Sequence, residues 1–309
     1  MLQVAALFLG ATKGPDFRGS LELLRDSSAC ENRRCSMHYQ GMLGFVGAIT
    51  LALCGAWGQE TPPASPPATP APPPVLENTG KPMGVPFQCT PEDIQWAGLS
   101  CSEDDPCPIY LELSSVTSVG NRIFTAGNIH SATVTLYSII LGSEDAGQTW
   151  RELHPRVRGA GIDHIVLLDP EAGWASGQTL SPLLQDPFLL LTTDGGKTWR
   201  QRPIFSDSRE SRYGSIQQFF FSDAKSGTMV IDRGAGSDGD RYEVYESPDG
   251  GESWTIKETS SKPVQLKRAF AAQTDWRVRS DRESYQVEHR QGERWTSTAG
   301  FAVKLGVCK

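Results

Sequence analysis

The stretch TTDGGKTW, Thr192 to Trp199, sets one aspartate among threonines, two glycines and a closing tryptophan. It is not alone. SEDAGQTW (Ser143 to Trp150) and SPDGGESW (Ser247 to Trp254) follow the same pattern: Ser or Thr, any residue, Asp, any residue, Gly, any residue, Ser or Thr, Trp. Three copies of so restrictive a pattern do not arise by chance. A fourth, eroded copy, HRQGERW (His289 to Trp295), keeps Gly292 and Trp295 but loses the aspartate and one residue. The four tryptophans Trp150, Trp199, Trp254 and Trp295 are separated by 49, 55 and 41 positions, so the repeat has a unit of domain-building size.

A second element precedes each copy. VTSVGNRIFTAGN from Val116, IVLLDPEAGWASGQ from Ile165, FFFSDAKSGTMVID from Phe219 and AFAAQTDWRVRSD from Ala269 each read as an apolar strand, a polar turn and a second strand. TLYSIIL, FLLLT, YEVYES and YQVEH before the boxes, with WRELH, WRQRP, WTIKE and WTSTA after them, complete four strands per unit. Units of four strands and about 40 to 50 residues are the signature of β-propeller blades. The expected fold is therefore all-β, a propeller of about four to five four-stranded blades; a fifth would be a degenerate first blade beginning at Phe87. CPIYLELSS (Cys107 to Ser115) offers an additional closing strand.

The chemistry of the box follows from its place between two strands. Gly147, Gly196 and Gly251 can take positive φ where the chain reverses, and Asp145, Asp194 and Asp249 can accept nearby backbone N–H bonds. Ser143, Thr192 and Ser247 open each turn, and Trp150, Trp199 and Trp254 close it by packing between blades. The acid is then a clamp on a turn, not a general acid.

These boxes resemble the Asp-box, or bacterial neuraminidase repeat, over about Val116 to Val307. Such boxes occur in sialidases, some glucan hydrolases, sortilin-type receptors and the photosystem II stability/assembly factor family. AGWASG followed by LLLTTDGGKTW is most similar to the last of these. The resemblance implies a structural turn on the face of the propeller opposite the usual ligand face. It identifies a scaffold far more sharply than a function. Family propellers usually carry six or seven blades, whereas four units are legible here, so a small propeller, or one completed by a second copy as a homo-oligomer, is implied.

The whole chain divides into three segments. Residues 1–58 comprise an upstream extension and a signal peptide, MLGFVGAITLAL (Met42 to Leu53) with Ala56-Trp57-Gly58 before a cleavage point. Residues 59–86 hold a proline-rich spacer, TPPASPPATPAPPP, and residues 87–309 the propeller. The expectation is export to a periplasmic or extracellular location with no membrane span after cleavage. Lipidation at Cys54 is disfavoured by the leucine before it. Four cysteines then remain, Cys89, Cys101, Cys107 and Cys308, an even number that reads as two disulfides with three possible connectivities. A bridge from Cys308 would join the two ends of the domain. Free buried thiols are the alternative.

The net charge of −7 gives no hint of a nucleic-acid partner, and none is expected. No nucleophilic serine or cysteine arrangement, phosphate-cradling loop or zinc spacing is present, and no metal or cofactor is expected. DRGAGSDGDR, with Asp232, Asp238 and Asp240, matches no calcium loop and reads as a flexible turn. The loops between blades concentrate base on the face away from the boxes: Arg156, Arg158, Arg202, Arg209, Arg212, Lys262, Lys267 and Arg268. Gathered there they suit a protein partner or an anionic glycan. Tyr213 is the one tyrosine among these arginines, and a sialidase-like hydrolase would need it as nucleophile with a paired glutamate. The favoured expectation is a non-catalytic scaffold.

Overall fold

The computed structural model describes residues 73–179, 186–205, 214–235, 239–266 and 275–309, all within the unit Pro67–Lys309. The signal peptide, most of the spacer and Cys54 lie outside the described residues.

The chain opens with a two-residue strand, β1 (Leu76–Glu77), and one short helix, α1 (Pro91–Ala97). Thr90 caps that helix: its hydroxyl accepts from Asp93 N while Asp93 accepts from Thr90 N, and Gly98 ends it in the left-handed region. The segment from Phe87 is thus a capped helix and a disulfide loop, not a degenerate blade.

Four antiparallel sheets follow. The first contains β2 (Cys107–Val119), β3 (Arg122–His130), β4 (Thr135–Ser143) and β5 (Thr149–Glu152). The second runs β6 (Ala160–Leu167), β7 (Gly173–Thr179), β8 (Asp186–Thr192) and β9 (Arg200–Pro203). The third runs β10 (Ser215–Phe221), β11 (Gly227–Asp232), β12 (Tyr242–Ser247) and β13 (Thr255–Ser260). The fourth holds β14 (Trp276–Ser280), β15 (Ser284–Gln291) and β16 (Arg294–Ala302), and the chain ends in β17 (Lys304–Cys308). Within each sheet the consecutive strands run up and down as a meander, with β1 and β17 added at the two edges of the first, so the molecule is an all-β propeller of four blades among the described residues. CPIYLELSS is the opening part of β2 itself, and the extra strand on that sheet is β17, paired antiparallel with it.

Apolar layers between blades hold them together. Ile109, Leu111 and Trp150 of the first blade meet Val287, Ala299 and Phe301 of the fourth. Phe124 and Ile140 meet Ile162, Ala175 and Leu190 of the second. Trp174, Leu189 and Leu191 meet Phe221, Met229 and Ile231 of the third. Trp174 and Phe221 stack with ring centroids 3.7 Å apart. Strand alternation explains the pattern, since Trp174 and Ala175 are successive residues pointing to opposite neighbours.

The innermost strands share one irregularity. Each of β2, β6 and β10 carries a register shift at the same place, between Leu113 and Ser115, Ile162 and His164, and Ile216 and Gln218. A bulge bends a strand and re-aims one side chain. In the first blade the extra residue, Ser114, donates to Ile162 O at 2.6 Å and so ties two blades together.

The first described segment and the last strands meet on the seam between first and fourth blades. β1 pairs with the outer strand β5. Asn78 Nδ2 donates both to Gly147 O at 2.8 Å and to Thr298 O at 2.7 Å, one carbonyl from each blade. Met83 hydrogen-bonds Gly300 and Ala302. Disulfides join Cys89 to Cys308 and Cys101 to Cys107, which selects one of the three connectivities left open by the sequence.

Candidate functional site

The three boxes form nearly superimposable hydrogen-bond networks. In the first, Ser143 Oγ donates to Asp145 Oδ1 at 2.8 Å and accepts from Gly147 N at 2.8 Å. Asp145 Oδ1 accepts from Gln148 N and Thr149 N, and Oδ2 from Thr149 Oγ1 at 2.6 Å. Thr192, Asp194, Gly196 and Thr198 repeat this at 2.8, 2.7, 2.9 and 2.5 Å, and Ser247, Asp249, Gly251 and Ser253 do so again. Trp150 and Trp199 each donate their indole N–H to the glycine carbonyl three residues earlier, whereas Trp254 has no such partner.

Electrostatics agree with the geometry. The Thr149 hydroxyl and amide hold the Asp145 carboxyl down at about 2. Asp249 is lowered by Ser253 in the same way. Burial pulls Asp194 upward, but the Thr198 and Thr192 bonds outweigh it and the net shift is down. Carboxylates kept ionised by their own turn are poor proton donors.

The second and third boxes also dock on the preceding blade. Arg122 Nη1 of the first blade donates to Gly195 O at 2.8 Å, and Trp174 Nε1 of the second to Gly250 O at 2.8 Å. Gly196 has φ +84°, and a Cβ there would stand 2.5 Å from the Phe124 ring, so the position needs glycine on two counts. The eroded hairpin at Gly292 has open space around it.

The described arginines of the expected basic face are not free cations. Arg156 forms a two-point pair with Glu152 and donates to Pro86 O at 2.8 Å. Arg158 meets Glu92 Oε1 at 2.6 Å and Asp93 Oδ1 at 3.5 Å, and lies over Trp96 and Tyr137, so that it pins α1 to the first blade. The Tyr137 hydroxyl donates to the Asp93 carboxylate. Burial raises the Asp93 carboxyl, yet the bonds from Tyr137 and Thr90 carry it below its ordinary value. Arg202 pairs with Glu252, as does Arg200 at 2.6 Å. Arg209, Arg212, Tyr213, Lys267 and Arg268 lie outside the described residues; Lys262 is exposed. The structure therefore sets Arg158 against α1 and Arg156 against Glu152 and Pro86, and it places Arg202 with Glu252 of the third box, not on the face away from the boxes where the sequence reading put it.

Asp232 of the supposed flexible turn accepts two bonds from Arg241, both at 2.7 Å; Asp238 lies outside the described residues. Among the described residues no three His, Cys, Asp or Glu side chains are grouped to hold a metal ion.

One set of polar groups was not legible in the sequence. Glu112 and Asn128 face each other across β2 and β3, with Asn128 Nδ2 donating to Glu112 Oε2 at 3.3 Å. Asp163, the extra residue of the β6 bulge, is raised by burial first and by the Glu112 charge in addition, against a lowering influence of His164. Tyr285 of the fourth blade is likewise raised by burial and by Glu112. Two carboxyls with unequal environments can divide acid and base roles between them. The signal that would find Asp163 is the bulge, and a bulge has no mark in the sequence.

No family model matches the chain, and no curated protein matches it. Among solved structures, a GH74 xyloglucanase from Xanthomonas campestris is similar at 19% identity, with a TM-score of 0.34, over 45% of this chain. The match spans 19% of that structure's own chain, and at this level it has no bearing on function.

Proposed function

We propose that the protein is an exported, non-catalytic β-propeller of the Asp-box type, resembling the photosystem II stability/assembly factor family, that acts by binding a protein partner. The observation that carries this reading is the use of Asp145, Asp194 and Asp249: all three are consumed by their own turns, which leaves the motif a structural task. Two disulfides, and the absence from the described residues of any helix long and apolar enough to cross a membrane, are compatible with export. Partner selection then falls to the loops away from the boxes, to which the sequence assigns the remaining basic residues Arg209, Arg212, Lys262, Lys267 and Arg268. Affinity capture from an envelope fraction, read by mass spectrometry, tests this. Exchanging Arg209 and Arg212 for glutamate should weaken capture at low salt, and unchanged capture would count against the basic face.

A second reading, a sialidase-like glycoside hydrolase or glycan-binding propeller, is favoured by Asp163, whose carboxyl is raised beside Glu112. A panel of fluorogenic glycosides separates the two. Turnover that disappears in Asp163→Asn would replace the scaffold reading with the hydrolase.

A further inference from the structure

The fourth blade differs from the others in having only one apolar face. The first blade packs on the fourth and the second, the second also packs on the third, and the third carries a further apolar cluster of Val230, Tyr242 and Val244. In the fourth, Val278, Val287 and Ala299 stand in one row across β14, β15 and β16 and pack toward the first blade. The rows on either side of them fall on the opposite face by strand alternation. One of these is Arg277, Glu288 and Ser297, and the other begins with Arg279 and Gln286.

That polar face is ordered from within. Glu288 is 5% exposed, its Oε2 accepts from Arg277 Nε at 2.7 Å and its Oε1 from Arg279 Nε at 2.8 Å. Burial pushes its carboxyl up, but the bonds from Arg279 and Arg277 outweigh burial and hold it below its ordinary value, so it stands ionised between them. Arg277 lies 4.2 Å over the Trp295 ring, which fixes its plane. Gln286 is held by a bond of 2.7 Å to Ser284 Oγ and one of 2.6 Å from Ser297 Oγ. Groups fixed in advance lose less freedom when a ligand arrives.

The pairing leaves most of both arginines unspent. Each gives one N–H, from Nε, to a carboxylate that serves both, and among the described residues no acceptor meets the terminal Nη groups of either. Their side chains are 42% and 46% exposed, so these terminal forks open to solvent. Asp275 and Arg290, opposite one another at the next step of the ladder, cancel in charge. The face therefore sets two guanidiniums against one carboxylate, with one positive charge in excess.

With both heads tied to opposite oxygens of one carboxylate, the two forks stand side by side. Two adjacent forks and one charge to match call for an anion that spreads a single charge over three oxygens. A carboxylate fills one fork, and a phosphate monoester brings a second charge; a sulfate ester meets both conditions. Gln286, Ser284 and Ser297 surround the arginines with amide and hydroxyl groups, which suits a hydroxylated carrier. We propose that this face of the fourth blade binds a sulfated sugar, with its sulfate ester on Arg277 and Arg279 next to Trp295. This site is independent of the protein-binding reading above.

The test is titration of the full chain with glucose 6-sulfate, read from the indole and arginine side-chain N–H signals in nitrogen-15 NMR spectra. Glucose, glucuronate and glucose 6-phosphate serve as comparisons. The signals of Trp295, Arg277 and Arg279 should move. Glucose 6-sulfate should bind at least about tenfold more tightly than glucose and about threefold more tightly than glucuronate, which fills one fork. Glucose 6-phosphate should bind no more tightly than the sulfate. The double variant Arg277→Gln, Arg279→Gln should lower affinity by about tenfold, and Arg151→Gln, on the box side of the first blade, should not. If the double variant does not fold, Arg277→Lys with Arg279→Lys keeps the charge while removing the forks and should bind about threefold more weakly than wild type. Absence of glucose 6-sulfate binding, shifts confined to other tryptophans, or full binding by a folded variant overturns the proposal. So does binding of glucuronate as tight as that of the sulfate, or of glucose 6-phosphate tighter than it.

Discussion

Replacing Cys89 and Cys308 together by alanine removes the covalent link between the first and last parts of the propeller. The bridge spans 219 positions, whereas Cys101–Cys107 spans 6. In the chain-entropy account a cross-link stabilises by restricting the unfolded state, as the logarithm of loop length. That gives about 5 kcal/mol for the long bridge and about 2 kcal/mol for the short one. The native state should survive the loss, because β1 on β5, Asn78 across two blades and Met83 beside Phe301 hold the same seam without it. Urea unfolding of the two double variants, followed by tryptophan fluorescence, gives the comparison directly. The long-bridge variant should lose about 3 kcal/mol more than the Cys101→Ala, Cys107→Ala chain. Equal losses, or a larger loss from the short loop, would refute the assignment of the long bridge as the clasp of the ring.

The box hairpins make further predictions. Asp194→Ala removes an acceptor shared by several donors and should cost about 2 to 3 kcal/mol in urea unfolding, with glycosidase or binding readouts unaffected except through stability. Ala146 adopts φ +58° where the other two copies hold glycine, so Ala146→Gly should raise stability by about 1 kcal/mol in the same assay. Asp145 is depressed in the folded state to about 2, so its contribution is complete above its ordinary value of 3.8 and disappears as pH falls through about 2; stability of wild type over Asp145→Asn should shrink across that window. Asp163 has the opposite sign. Its folded value is raised, so ionising it is penalised as pH rises above 3.8, and Asp163→Asn should be the more stable chain at neutral pH with the gain vanishing as pH falls below 3.8.

The legible and illegible parts of the molecule differ in how far their interactions reach along the chain. The Asp194 network joins residues two to four positions apart, and its spacing therefore appears in the sequence as a pattern. Arg158 was equally visible as a loop cation, but its partner Glu92 stands 66 positions away on a helix that the strand pattern did not anticipate. A cation on a loop can be counted from sequence; whether it is free depends on which element lands beside it.

By itself the sequence determined the repeat, the hairpins and hence the all-β propeller, because turn geometry and strand alternation are set by residues within a few positions of one another. It also led to the expectation of two disulfides, without choosing among three pairings. Tertiary structure alone decided that Cys308 pairs with Cys89, that Arg156, Arg158 and Arg202 are spent on carboxylates of the same chain, and that Asp163 is raised beside Glu112. Each of these depends on how separate blades stack, and stacking places side chains from distant positions in one dielectric environment that no local pattern encodes.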